Sequence, residues 1–143
     1  MISTGKSGRK TYPMEDLGSF FRRYADAHLK FEADALDAFY NFPCLINDLM
    51  GVHAIGSVED LHKYNQSFFD ELKNADLAMA KSMLIEQHSA LPGGSRAIVS
   101  FRFGNSENNL IFDCDYAFAL LKQDETWKIV FAQLDEIRYS DLY

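Results

Sequence analysis

Cysteine, proline and tryptophan are scarce in this chain of 143 residues, at two, three and one. Cys44 and Cys114 are too few for a disulfide scaffold, and no C-x-x-C pair occurs. Each sits among apolar neighbours, which predicts buried free thiols. No run reaches the roughly eighteen apolar residues that a spanning helix requires. The first ten residues carry charge with no apolar core after them, so no secretory leader is expected. Positive charge is short as well: 14 Lys and Arg stand against 21 Asp and Glu, a net charge of -7. That balance excludes non-specific binding to DNA or RNA, which needs a cationic surface. The small basic groups Lys6, Arg9, Lys10 and Arg22–Arg23 read as a solvated tail and a solvated helix face. A soluble cytoplasmic protein is expected, with no nucleic-acid or membrane partner.

Chemical signatures are missing in the same way. The histidines show no H-x-x-x-H spacing and do not cluster with acids, so no metal is expected. No G-x-S-x-G elbow occurs. Gly5-Lys6-Ser7 lacks the upstream glycine and strand of a phosphate loop, and no other Gly-rich turn joins a strand to a helix. No cofactor is expected.

What the chain does have is apolar bulk. Hydrophobic residues make up 48% of it, and twelve are Phe, enough to drive folding of one domain. Residues 1–11 are Gly/Ser/Lys-rich and aperiodic, a flexible leader; residues 12–143 form the domain. From Pro13 the period is helical: Leu17, Phe20, Phe21, Tyr24, His28, Phe31, Ala35 and Phe39 form one stripe. The stretch is long for one helix, and a break is expected at 30–34. Pro43 then stops any helix. Residues 44–47 and 52–55 read as strands joined by the 48–51 turn. Ser57, followed by Glu59 and Asp60, predicts a capped helix. Its buried stripe is Val58, Leu61, Tyr64 or Asn65, Phe68 and Leu72.

In the second half the period falls to two. Four strands are predicted at 78–91, 97–103, 110–121 and 127–136, separated by turn residues. Ala97, Val99, Phe101 and Phe103 share one face of their strand. Phe112, Cys114, Tyr116, Phe118 and Leu120 share one face of the next, with Ile111, Asp113, Asp115, Ala117 and Ala119 opposite. Apolar residues on both faces suggest a central strand or a face covered in a homodimer. The class is α+β: three N-terminal helices packed in a curved antiparallel sheet.

This element order, the run Pro43-Cys44-Leu45-Ile46-Asn47-Asp48-Leu49-Met50-Gly51 and the closing Asp124-Glu125-Thr126-Trp127-Lys128-Ile129 resemble the nuclear transport factor 2 (NTF2)-like superfamily. The superfamily includes ketosteroid isomerase, scytalone dehydratase and polyketide-cyclase-like (SnoaL-like) proteins. The resemblance implies a cone with an internal pocket over residues 13–137. Residues 44–51 resemble the segment that carries the isomerase's catalytic base, which would fall on Asp48. Arg23-Tyr24 resembles its oxyanion-binding tyrosine. The isomerase's protonated aspartic acid would fall on or beside Asp115 or Tyr116.

The residues can also be weighed by their own chemistry. Asp48 can abstract a carbon-bound proton if partly buried, or simply cap its own turn. Tyr24 can stabilise an oxyanion or fill the core. His53 and His88 lie on predicted strands, and dehydratases resembling this fold pair histidine with aspartate, so Asp48–His53 and Asp48–His88 are alternatives. Asp115 and Tyr116 take opposite faces, so only one can point inward, and the apolar company of Tyr116 favours its side. Three functions compete: cofactor-free proton transfer on a hydrophobic small molecule, a ligand-binding domain without chemistry, and an accessory dimerisation domain.

Overall fold

The computed structural model describes residues 15–89 and 92–142. The expected leader and the start of the first helix at Pro13 lie outside the described residues. Helix α1 spans Leu17–Ala27. Asp16 caps it, its carboxylate accepting the Ser19 N–H at 2.8 Å. The cap satisfies one of the orphan donors of the first turn. The expected break falls where Phe31 takes a left-handed φ of 55°. A 3₁₀ turn, His28–Lys30, precedes it, and a second 3₁₀ segment, Ala33–Phe39, follows. The shorter second helix is therefore 3₁₀, not α.

Strand β1 runs Tyr40–Asp48 and β2 Gly51–Ile55. Helix α2 spans Val58–Asn74, with the Ser57 hydroxyl accepting the Asp60 N–H at 3.2 Å. Strands β3 (Leu77–Ser89), β4 (Gly94–Asn105), β5 (Leu110–Gln123) and β6 (Thr126–Ser140) complete the chain. The β5–β6 turn places Asp124 and Glu125 at φ 50° and 63°, the left-handed pair that a two-residue hairpin loop needs.

The six strands form one unclosed sheet in the order β2-β1-β6-β5-β4-β3. Register shifts interrupt four of its ladders, and breaks of this kind bend strands and curve the sheet. The sheet is not wholly antiparallel, because β1 pairs with β6 in parallel. The first hairpin comes back beside the last strand only after the long crossover through α2 and β3–β5, and that leaves the two strands running the same way.

Face parity follows the sequence. Ala97, Val99, Phe101 and Phe103, with Phe112, Cys114, Phe118 and Leu120, are all buried on the inner face. Helix α1 lays Phe20 and Phe21 into this face, and the Phe21 ring lies 4.6 Å from that of Phe118. Each such ring contributes about 1.5–3 kcal/mol of burial. On α2 the buried stripe is Leu61, Asn65, Phe69 and Leu72. Tyr64 and Phe68 are half-buried, turned toward a space that the sheet leaves open.

Candidate functional site

That space is a cavity of about 500 Å³ between α1, α2 and the inner sheet face. Its walls are mostly aromatic and aliphatic. No lysine or arginine lines it among the described residues, while Asp48 and Glu71 do.

Asp48 ends β1 on the same face as Ile46, two residues earlier. The antiparallel register sets Ile46 opposite His53 and Asp48 opposite Gly51, so Asp48 and His53 are diagonal neighbours on the inner face. Gly51 permits the turn between them by adopting φ 113°. The Asp48 side chain is 5% exposed and that of His53 31%. Three donors converge on the carboxylate: the Met50 N–H at 2.8 Å, His53 Nε2 at 3.0 Å, and the Tyr64 hydroxyl. Asp48 thus caps its turn and binds a histidine with one side chain. A carboxylate only accepts, so Nε2 of His53 carries the hydrogen, which selects the tautomer whose lone pair is on Nδ1. The Tyr64 ring packs on His53 at 4.8 Å between centroids.

A second polar group lies among the aromatic rings. The Tyr24 and Tyr40 hydroxyls are 2.5 Å apart, both buried. Burial, partly offset by the Tyr40 hydrogen bond, pushes the Tyr24 phenol up to about 12. Burial, and then the neighbouring Tyr24, holds Tyr40 well above the ordinary tyrosine value. Both are neutral phenols near pH 7. One donates to the other, and the second O–H remains available to a third group. His28 donates from Nδ1 to the Tyr24 carbonyl at 2.9 Å. Burial lowers its pKa to about 4, so it is neutral and presents Nε2 as an acceptor. The thiols are inert, with burial pushing Cys44 up to about 11 and Cys114 to about 12.

Comparison with solved structures identifies the architecture. A domain of unknown function with a cystatin-like fold from Nostoc punctiforme matches with a TM-score of 0.67 at 14% identity, covering 82% of this chain and 73% of that one. An NTF-2 like protein of unknown function from Shewanella oneidensis matches at 0.66 and 13%, over 84% and 96%. A putative calcium/calmodulin dependent protein kinase II association domain from Xanthomonas campestris matches at 0.61 and 12%, over 88% and 95%. The chain has an NTF2-like fold. Likeness at these identities carries the fold alone. Sequence comparison finds no matching family model and no matching curated protein.

Of the residues singled out in the sequence, the NTF2-like fold brings Asp48, His53, Tyr24 and Tyr116 to the cavity wall. Tyr116 stacks on Phe118, with centroids 5.7 Å apart. His88 and Asp115 are not brought there. His88 lies on the edge strand β3, its side chain 63% exposed, with Nε2 3.2 Å from Glu86. Asp115 faces outward by strand parity. The Arg138 guanidinium binds it at 2.9 Å and Asp113 at 2.8 Å, and holds the Asp115 carboxyl below the usual range. The isomerase's protonated acid therefore has no counterpart at Asp115, and the inward position of that pair belongs to Tyr116.

Three contributors escaped the sequence reading. Tyr40, which directly follows Phe39 at the end of the expected helical stripe, is instead the first residue of β1. Tyr64 and Asn65 were competing occupants of one stripe position, and both line the cavity. The available signal was Asn65 itself, a polar residue in step with Leu61, Phe69 and Leu72.

Proposed function

We propose that this chain binds a neutral, mainly apolar carbonyl compound and catalyses cofactor-independent proton transfer on it. His53 acts as the base and Asp48 as its positioning residue. The observation that carries this reading is the convergence of His53, Tyr64 and the Met50 N–H on one buried carboxylate at an apolar cavity. The resemblance to ketosteroid isomerase put the base on Asp48. Three donors already occupy that carboxylate, and the geometry favours the histidine it orients.

In the step we infer, Nδ1 of His53 takes a proton from the carbon beside the carbonyl. The C–H electron pair becomes the enolate C=C bond, and the carbonyl π pair moves to oxygen. Asp48 stabilises the imidazolium, and the spare O–H of the Tyr24–Tyr40 pair donates to the oxyanion. Where the ligand carries a β,γ double bond the enolate is a dienolate, and return of the proton at the γ-carbon shifts the double bond into conjugation and isomerises the ligand. Delivery of the proton to a β-hydroxyl, which leaves as water, dehydrates it. The absence of a cationic lining residue, among those described, favours an uncharged ligand over a carboxylate or phosphate.

The test is deuterium exchange into the methyl group of 2-acetylnaphthalene in D₂O, followed by proton NMR. Wild type is expected to exchange faster than buffer. His53→Gln and Asp48→Asn are expected to slow the catalysed rate by roughly a hundredfold or more while both variants stay folded, as read by circular dichroism. Exchange indifferent to both substitutions would refute the assignment. Binding of the ketone without exchange would favour the second reading, a ligand-binding domain without chemistry.

We also propose a homodimer through the outer sheet face. Leu45, opposite Phe131 in the register, and Val52 and Met83 are large apolar residues on that face, the first 43%, the others 67% and 63% exposed. The similarity to a structure described as an association domain points the same way.

A further inference from the structure

Asn65 is 5% exposed on the apolar stripe of α2, it lines the cavity, and its Nδ2 group makes no hydrogen bond to any described residue. A buried amide in that state is destabilising, and such groups are rare in folded proteins. Helix α2 does not need it, because a leucine would continue the series Leu61, Phe69, Leu72 and bury more apolar area. The wall around it supplies rings but no carbonyl or carboxylate to the amide. His28 donates from Nδ1 to the Tyr24 carbonyl, and its acceptor Nε2 makes no hydrogen bond with the Asn65 amide. The two acids of the lining are Asp48, held by its three donors, and Glu71.

We infer that the Asn65 carboxamide is a ligand-recognition group that donates to an acceptor oxygen of an uncharged, mainly apolar ligand: a ketone, ester or amide. This rests on the reading that the cavity takes a small molecule, and it adds a role that neither the base nor the phenol pair fills. The phenol pair acts on charge that develops during reaction, so it contributes little to ground-state affinity. Asn65 acts on the ground state. A site built around a donor discriminates against ligands that leave the donor unpaired.

The experiment compares 2-acetylnaphthalene with 2-isopropenylnaphthalene, whose C=CH₂ group keeps the ketone's shape and removes its acceptor. Affinities are measured by titration for wild type, Asn65→Leu and Asn65→Ala. Wild type is expected to prefer the ketone by roughly tenfold, the ratio one added hydrogen bond supplies. Both variants are expected to bring the ratio to about one. In the absence of ligand, Asn65→Leu is expected to raise the unfolding midpoint, since it removes an unpaired buried amide. Four outcomes overturn the inference: a preference that survives both variants, a wild-type ratio near one, failure of wild type to bind either probe, or a lowered midpoint for Asn65→Leu. The deuterium-exchange assay separates this inference from the proposed reaction. Loss of the ratio without any wild-type exchange removes the reaction and keeps the recognition group. Exchange with an undiminished ratio does the reverse.

Discussion

At the residue scale, His28 shows what burial does to a titratable group in this molecule. Its ring is enclosed by Tyr24, Phe69 and Phe103, with centroids 5.1, 5.7 and 5.3 Å away. The native pKa is about 4, against roughly 6.5 in the unfolded chain. Between those values the unfolded chain binds a proton that the native state does not. The stability from keeping His28 neutral is fully present above about pH 6.5 and is lost as pH falls toward 4. Urea unfolding at pH 7 and pH 4.5 is expected to differ by roughly 2–3 kcal/mol on this account. His28→Gln, compared at the same two pH values, is expected to lack that component. An equal pH dependence in the variant would mean that other groups carry it. Asp48 makes the complementary point: one side chain both caps its turn, through the Met50 N–H, and binds His53.

At the element scale, most of the architecture was legible because it rests on periodicity and caps. The period of two on β4 and β5 assigns Phe101, Phe103, Cys114 and Phe118 inward, and they are buried. The Ser57 cap was equally readable, since a hydroxyl followed by Glu59 and Asp60 has a local reason to start a helix. Three things were not readable, each for a physical reason. Pro43 stops a helix, and the strand was expected only after it, over 44–47; β1 instead begins three residues before the proline, at Tyr40. The parallel β1–β6 ladder is a long-range pairing with no local signature. The inward direction of His53 depended on register, which the hairpin fixes through Asp48 opposite Gly51. His88 had the same composition signal and lies outside the cavity, because β3 is the sheet edge and its far end is exposed.

At the scale of the whole molecule, the helices among the described residues cover the inner face of the sheet and leave its outer face open. That face mixes the Asp113–Arg138–Asp115 ion cluster with the row Leu45, Phe131 and Ala119, joined across β1, β6 and β5 by the register. Exposed apolar rows of this kind mark association surfaces. Sedimentation equilibrium is expected to give twice the chain mass for wild type and the chain mass for Leu45→Lys combined with Val52→Lys. A monomeric wild type would remove the proposed dimer and leave the cavity untouched. The inner face carries the central claim, that Asp48 orients His53 so that its Nδ1 is the base. Long-range nitrogen–proton NMR of the imidazole at pH 8 tests this most directly. The expected result is a His53 tautomer with hydrogen on Nε2 and a bare Nδ1, lost in Asp48→Asn. A ring protonated on Nδ1, or a tautomer unchanged by Asp48→Asn, would contradict it.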